Sequence, residues 1–229
     1  MIVIAYFWKI SNRNIPFAFL RMALDRQALR KTPGVAFAKM LGCGKGESFT
    51  PSDADLSRWG FIVTIEENQI ENFDRSKVVT RWRSRSLEEF RALLDPIASH
   101  GLWSKGNPFD FAQSTTDGEV IAITRARISL FKNFLFWRAV PPVTESLHAS
   151  PGLIGAIGIG EAPVGLQGTF SHWKSGADLR AFAYKSKAHQ DVIAATATHN
   201  WYSEELFSRF AVREIRGSIA QSGLNKVEL

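Results

Sequence analysis

The five histidines are the residues best suited to bind a metal or move a proton, and their spacing excludes the local metal motifs. They are His100, His148, His172, His189 and His199. No two of them form a His-x-His, His-x-x-x-His or His-Glu-x-x-His pair, the spacings that bring two imidazoles onto one metal ion. A structural zinc site or a metalloprotease helix is therefore not expected.

His189 is the histidine with the most informative surroundings. Residues 176–196 are predicted to be a helix, and the stripe of that helix continues through Leu179, Phe182, Ser186, His189 and Ile193 at intervals of three and four residues. This spacing places His189 on an inward face. An inward histidine either ligates a bound group or forms hydrogen bonds in a core, and the pattern alone leaves both interpretations open.

Two other stretches resemble catalytic motifs without meeting their requirements. A phosphate loop ending at Gly44-Lys45 would need glycine at position 39, where Lys39 stands. Glu204 and Glu205 follow Ser203 in what is predicted to be the first turn of a short helix. Adjacent carboxylates diverge on a helix, so this pair does not predict a hydrolase.

Composition and charge restrict the class of protein. Hydrophobic residues make up 45% and charged residues 22%, which is sufficient for a buried core. The formal net charge is +6, but the basic residues are scattered, so a nucleic-acid partner is not expected. A basic surface also suits anionic lipid or an acidic redox partner.

Location follows from the cysteine count and from the apolar runs. The single cysteine, Cys43, excludes an internal disulfide and is predicted to be a small buried side chain. No leader is recognised at the N-terminus, and no apolar run reaches the length of a membrane span. We therefore expect a cytoplasmic protein, with peripheral contact to the inner membrane through outward Phe136 of a predicted helix at 130–147 as the minority interpretation.

The hydrophobic patterns predict alternating strands and helices. The strands are predicted near 1–9, 34–41, 58–66, 118–127, 152–159, 166–173 and 208–215. The helices are predicted at 16–30, 86–99, 130–147 and 176–196.

The order β-α-β-β-α occurs twice, and the two passes match in sequence. The matched segments are Ile4-Ala5 with Ile121-Ala122, Pro33-Gly34-Val35 with Pro151-Gly152-Leu153, Gly42-Cys43-Gly44 with Gly158-Ile159-Gly160, and Leu87 and Phe90 with Leu179 and Phe182. This predicts an internally duplicated α+β fold, with ferredoxin-like halves at 1–105 and 117–229 joined by a linker near 100–117. Two such sheets can pack face to face as a single α+β barrel domain with a ligand space between them.

Four stretches of the second half together resemble the spheroidene monooxygenase family, the acyclic carotenoid 2-ketolases. They are TRARISLFKNFLFWRAVPPV at 124–143, GLIGAIGIGEAPVGLQGTFSHWKS at 152–175, LRAFAYKSKAHQDVI at 179–193 and NWYSEELFSRF at 200–210. The first strand and ASHGLWSKGNPF at 98–109 add weaker similarity. The resemblance implies a haem-dependent monooxygenase that takes dioxygen and electrons from a ferredoxin-type donor and oxidises an apolar polyene.

The resemblance also implies roles for individual residues. His189 stands in the family's Phe-Ala-Tyr-x-x-x-x-His stretch and would be the proximal haem ligand, with His199 and His172 as alternatives. Phe182, Trp201 and Tyr202 would form the cavity wall. Arg125 and Arg127 fall on one side of a strand and would face the haem propionates or bound oxygen, unless they are merely solvated at the surface.

Two other functions agree with the same sequence. A non-catalytic protein that binds haem or a small apolar ligand would need the same cavity without the reaction. A cofactor-free oxygenase or isomerase would be colourless and would still turn over. Haem content and substrate-linked oxygen consumption distinguish the three.

Overall fold

A computed structural model of the chain describes residues 1–46, 53–109, 114–128, 144–162, 168–185 and 202–219. Its strands are β1 (Ile2–Ile10), β2 (Val35–Gly44), β3 (Ala54–Ile65), β4 (Ser86–Gly101), β5 (Val120–Ile128), β6 (Leu153–Gly160), β7 (Gly168–Trp173) and β8 (Tyr202–Arg216). Its helices are α1 (Ile15–Arg30), α2 (Ile70–Asp74), α3 (Lys77–Arg83), α4 (144–148) and α5 (Gly176–Lys185).

The strands form one closed antiparallel barrel in the order β1-β3-β2-β6-β7-β5-β8-β4. Within it the first half has the order β4-β1-β3-β2 and the second half has the equivalent order β8-β5-β7-β6. This is the ferredoxin-like order, and the halves join where β2 pairs with β6 and β4 pairs with β8. The predicted fold, two ferredoxin-like halves in an α+β barrel, is confirmed.

One of the two seams brings together segments that the repeat had matched. Cys43 pairs with Ile159 and Gly42 pairs with Gly160 across the β2–β6 seam. Equivalent residues meet because the halves are related by an approximate twofold axis at this point. Cys43 is buried, as predicted.

The predicted helix at 86–99 is wrong, because these residues form strand β4. Phe90 and Leu94 face the barrel interior, whereas Leu93 packs on the outside. A strand that buries apolar residues on both faces lacks clean alternation, so its leucines imitate a helical stripe. The layer on this face is instead α2 and α3, and the proposed match of Leu87 and Phe90 to Leu179 and Phe182 is wrong as well.

Two further details of the sequence prediction are corrected. Ser203 and Glu204 do not begin a helix, because β8 starts at Tyr202 and continues through both. Ile4 faces outward and Ile121 inward, so the match of the two opening strands is out of register. Helix α1 and the start of the 176–196 helix are confirmed, and 130–143 of the predicted 130–147 helix lie outside the described residues.

The barrel interior is packed with side chains. The predicted linker contributes to this core, because Trp103 and Phe109 are buried among the strands' inward residues. Two small cavities at the barrel measure about 10 Å³ each, far below the roughly 300 Å³ at which small-ligand pockets begin. As far as the structure describes it, the expected ligand space between the sheets is filled.

None of the helices in the described part of the chain has the length and apolar character of a bilayer span.

Candidate functional site

Strand β5 contributes to two chemically distinct features, a charge cluster on its inward face and a surface of small residues on its outward face. The inward face carries a buried charge cluster, which comprises Lys39, Arg125, Glu161 and Glu204. The outward face carries small residues where the first half has aromatic ones. We call the latter the small-residue face; it comprises Ala122, Thr124 and Ala126 of β5, Ala156 and Gly158 of β6, and Thr169 and Ser171 of β7.

Arg125 is the centre of the charge cluster. Its Nη2 donates to Glu161 Oε1 at 3.0 Å and its Nη1 donates to Glu204 Oε1 at 2.5 Å. The guanidinium is 2% exposed, so this arginine is not a solvated surface residue. Lys39 completes the cluster by placing Nζ 2.5 Å from Glu161 Oε2. Two cations and two carboxylates thus neutralise each other inside the barrel.

The hairpin at 103–106 closes over this cluster. Trp103 donates from Nε1 to Glu161 Oε1 at 2.8 Å, and the backbone N–H groups of Ser104 and Lys105 donate to the two oxygens of Glu204 at 3.1 and 2.7 Å. Ser104 and Lys105 both have positive φ, 59° and 67°. The hydrogen bonds to Glu204 offset the cost of holding two non-glycine residues in the left-handed region.

The cluster also sets the charge states of its members. Burial lowers the pKa of Lys39 from its ordinary value, although Glu161 opposes this shift. Burial alone would raise the pKa of Glu161, but the bonds from Lys39, Trp103 and Arg125 outweigh it and the pKa falls. The pKa of Glu204 is likewise lowered, because the backbone and Arg125 donors outweigh burial. Both carboxylates are therefore ionised at neutral pH.

The small-residue face lies on the other side of the same strands. Ala122, Ala126 and Ala156 are buried there, and alternation along each strand puts Thr124, Gly158 and Thr169 on the same side. The side chain of Arg125 lies on the opposite side of β5, in the barrel. A group held against the small-residue face therefore cannot contact the Arg125 guanidinium.

Helix α5 borders the small-residue face. The helix begins after Ser175, whose Oγ accepts from the Asp178 backbone N–H at 3.1 Å and donates to its carboxylate at 2.7 Å. Leu179 and Phe182 face the sheet, and the ring of Phe182 stacks on Trp173 at 5.3 Å between centroids. The predicted inward stripe is thus confirmed at its first two members. Phe182 lies on the outside of the barrel, as part of a helix–sheet layer.

The histidines differ in how far the structure describes them. His189 and His199 lie outside the described residues, as does Trp201. His172 lies on β7, where its Nε2 is 2.8 Å from Glu119 Oε2. Nothing in the described ranges assembles three or more His, Cys, Asp or Glu side chains around a metal position. A haem needs only one axial side chain, so this observation does not bear on haem binding.

The remaining predicted residues are placed by their strands. Arg127 lies near the end of β5, where the register to β8 shifts between Arg127 and Ile128. Tyr202 is the first residue of β8. The side chains of Arg127 and Tyr202 lie outside the described part.

Sequence reasoning missed most of the charge cluster. Lys39 was noted only because it replaces a glycine, Glu161 was not considered, and Trp103 was assigned to a linker. The two ends of the Lys39–Glu161 pair are 122 positions apart, so only the β2–β6 seam brings them together. The alternation of Arg125 and Arg127 on one strand was the available signal, and it placed both on one side of the strand without deciding between a bound group and solvent.

Curated relatives match nearly the whole chain. A spheroidene monooxygenase of Rhodobacter capsulatus is 34% identical over 210 residues, which cover 90% of this chain and 87% of the relative. A spheroidene monooxygenase of Rubrivivax gelatinosus is 34% identical over 189 residues, covering 81% and 72%. One from Cereibacter sphaeroides is 29% identical over 196 residues, covering 84% and 60%. No protein-family model matches the chain.

Solved structures share the fold at low identity. An aldoxime dehydratase matches with a TM-score of 0.57 and 11% identity over 92% of this chain and 81% of that one. The aldoxime dehydratase OxdRE, solved with butyraldoxime, gives 0.56 and 12%, over 92% and 79%. At this identity the likeness concerns the duplicated α+β barrel alone.

Proposed function

We propose that this chain uses haem to oxygenate an apolar, carotenoid-like polyene. The proposal starts from family membership: the chain belongs to the spheroidene monooxygenase family and is therefore a monooxygenase. The co-substrates in this proposal are dioxygen and electrons from a ferredoxin-type donor. Family membership favours an enzyme over a non-catalytic ligand carrier. It does not fix the substrate, since one fold and one cofactor can serve several reactions.

The observation that carries the haem proposal is the small-residue face. In the first half the equivalent layer between sheet and helices is filled by the sheet's own aromatic side chains, among them Tyr6, Trp8 and Trp59. In the second half, as far as the structure describes it, Ala122 and Ala156 lie at this level, beside the larger Trp173 and Leu179. Alanines do not fill the layer by themselves, and a flat apolar macrocycle has the shape that would. The residues present on this face therefore fit the group.

His189 is our proposed axial ligand. Leu179 and Phe182 already face the sheet from α5. The same helical interval, extended from Lys185 by four residues, would give His189 the same direction. From this side the imidazole would hold the iron of a haem bound against the small-residue face.

The proposed contributions of the protein are binding, orientation and exclusion of water. Bound haem would supply the activation of dioxygen. Ala122, Ala126, Trp173 and Phe182 would provide an apolar surround that excludes water, and Trp201 and Tyr202 are proposed as further wall. Arg127, near the end of β5, is proposed as the propionate partner because a guanidinium suits a carboxylate.

Arg125 has a different part in this account. To bind a propionate it would have to leave Glu161 or Glu204 and cross to the other face of β5. We therefore propose that Arg125 acts as a positioning residue, which holds β5, β6 and β8 in register beneath the cofactor. An interior ion cluster suits this task because it specifies which strands pair.

Turnover with isotopically labelled oxygen tests the proposal. Protein loaded with haem is incubated with an acyclic carotenoid, a ferredoxin and its reductase under ¹⁸O₂, and the product is analysed by mass spectrometry. We expect label in the product. Haem-loaded protein that binds the carotenoid without forming a labelled product would support the carrier alternative and contradict the enzyme proposal.

Matched histidine variants test the ligand. His189→Ala is expected to lose haem and turnover, whereas His100→Ala, at an exposed position of β4, is expected to retain both. Circular dichroism confirms the fold of each variant. Full haem retention in His189→Ala would move the ligand to His199 or His172.

A further inference from the structure

Helix α1 has two apolar faces, and only one of them is covered. Ala18, Met22 and Leu29 are buried against the sheet of the first half. Away from this buried face the large side chains of Phe19, Leu20 and Leu24 are 42%, 55% and 51% exposed, and the ring of Phe19 also contacts Trp59 edge-on. A surface helix ordinarily carries polar residues on that side. We call this exposed set, with the exposed Ala23 between them, the α1 ridge.

The exposed charged side chains of α1 and of its two ends are positive. Exposed Arg26, Arg30 and Lys31 occupy the last turn and the C-cap of the helix, and exposed Arg13 precedes its start. Asp25, the only acid in α1, is 1% exposed and pairs with Arg81 through Oδ1 at 2.6 Å. The ridge is therefore an apolar strip beside exposed positive charges, and the acid of α1 is buried and paired beneath it.

We propose that the α1 ridge binds this protein to the surface of an anionic lipid bilayer. Interfacial helices place leucine and phenylalanine below the headgroups and hold lysine and arginine at their level. Exposed apolar side chains enter a fluid lipid surface without the complementary groove that a protein partner would need. A second copy of this chain is disfavoured, because it would bring the same positive rim against this one.

The consequence for catalysis rests on the proposed function. An apolar polyene partitions into bilayers, so an enzyme held at the bilayer surface meets its substrate at high local concentration. The binding itself requires neither haem nor substrate. Its test is therefore separate from the test of the oxygenase.

Vesicle co-sedimentation of the full chain tests the proposal. We expect binding to phosphatidylcholine vesicles that contain phosphatidylglycerol, weaker binding to pure phosphatidylcholine, and a decrease with added salt. Leu20→Glu combined with Leu24→Glu should weaken partitioning into vesicles by at least about tenfold, because two leucines that the bilayer would bury are lost. Leu87→Glu is the matched control, since Leu87 is 68% exposed on β4 and away from the ridge.

A charge variant separates the two parts of the ridge. Arg26→Gln with Arg30→Gln should remove the preference for anionic vesicles and leave a weaker, salt-independent binding. Failure of the unmodified protein to bind anionic vesicles would overturn the proposal, as would equal binding by the Leu20 and Leu24 variant with an unchanged thermal melt. Concentration-dependent dimerisation that the same variant abolishes would assign the ridge to a second copy instead. Saturable, haem-independent binding of a ferredoxin that the charge variant abolishes, without vesicle binding, would assign it to an acidic partner.

Discussion

The outward faces of the two half-sheets carry side chains of different size. The first is lined by large side chains that stack directly on each other, with Tyr6 on Trp8 at 5.0 Å and Trp8 on Trp82 at 5.6 Å. The second has Ala122 and Ala156 at the corresponding depth. The same strand order and the same kind of seam therefore support two different outer layers.

The difference indicates how a duplicated fold can divide its tasks. The barrel interior draws on both halves and is a single packed core. The outer layers are independent, because each lies between its own sheet and its own helices. One layer can be complete with protein atoms and contribute stability, while the other can leave room for a bound group.

The largest effect is expected from truncation in the aromatic layer. Trp82 is fully buried, packs against Trp8 and Trp59, and donates from Nε1 to Asp25 Oδ2 at 3.0 Å. Trp82→Ala should lower the free energy of unfolding by about 3–5 kcal/mol, measured by urea denaturation. Haem affinity per folded molecule should be unchanged. If the variant folds well but no longer takes up haem, the haem site would have to be assigned to the first half.

The opposite substitution addresses the small-residue face. Ala122→Phe should abolish haem uptake at micromolar hemin because the ring occupies the proposed slot. The same variant should change the stability of the haem-free protein little, since the ring enters space that a cofactor would fill. Ala28→Phe, on the exposed side of α1, is the matched control and should bind haem normally. An overpacking cost of about 1–3 kcal/mol with normal haem uptake would show that protein fills the layer already.

A smaller effect is expected from acid, through the charge cluster. Because the pKa values of Glu161 and Glu204 are lowered in the folded state, their contribution to stability is complete above the ordinary glutamate pKa of 4.5 and is lost as pH falls below it. Urea midpoints measured from pH 7 downward should therefore drop in this range. The Glu161→Gln variant should have a lower urea midpoint than the unmodified protein at pH 7. Its midpoint should also fall less as the pH is lowered.

The control for the acid series is Glu71→Gln, because the Glu71 side chain is 83% exposed. This variant should follow the unmodified protein at every pH. Parallel acid profiles for Glu161→Gln and the unmodified protein would mean that the charge cluster does not govern acid stability.

The smallest effect is expected at the seam between the halves. Burial raises the pKa of the Cys43 thiol, so the native protein should resist alkylation that goes to completion in urea. Cys43→Ala should cost about 1 kcal/mol in stability and leave the haem spectrum unchanged. A spectral change would indicate a thiolate ligand and would contradict the assignment of His189.

The duplication was predictable from sequence because both passes retain the same glycine-marked strand ends, such as Gly42 and Gly158. Strand β4 was not predictable in this way, because it has a buried Phe90 on its inward face and a buried Arg91 on its outward face. Arg91 is 1% exposed and is satisfied by a two-pronged contact to Asp74. A buried arginine on an outward face breaks the hydrophobic alternation by which a strand is recognised.

Helix α3, which covers the sheet in place of the helix wrongly predicted at 86–99, did carry a local sequence signal. Ser76 caps α3 by accepting a hydrogen bond from the Val79 N–H at 3.4 Å. The β-branched Val78 and Val79 obscured it, since these residues favour strands. The charge cluster had no comparable local signal, because its members come from β2, β5, β8 and the end of β6 and meet only when the barrel closes.

The most direct test of the haem assignment is an absorption spectrum. Protein expressed with a haem precursor, or titrated with hemin, is recorded as the ferric form and then after reduction with dithionite and addition of carbon monoxide. We predict a Soret band that shifts on reduction and shifts again with carbon monoxide, which indicates haem with an accessible coordination position. A colourless protein that also fails to take up added hemin would contradict the central claim.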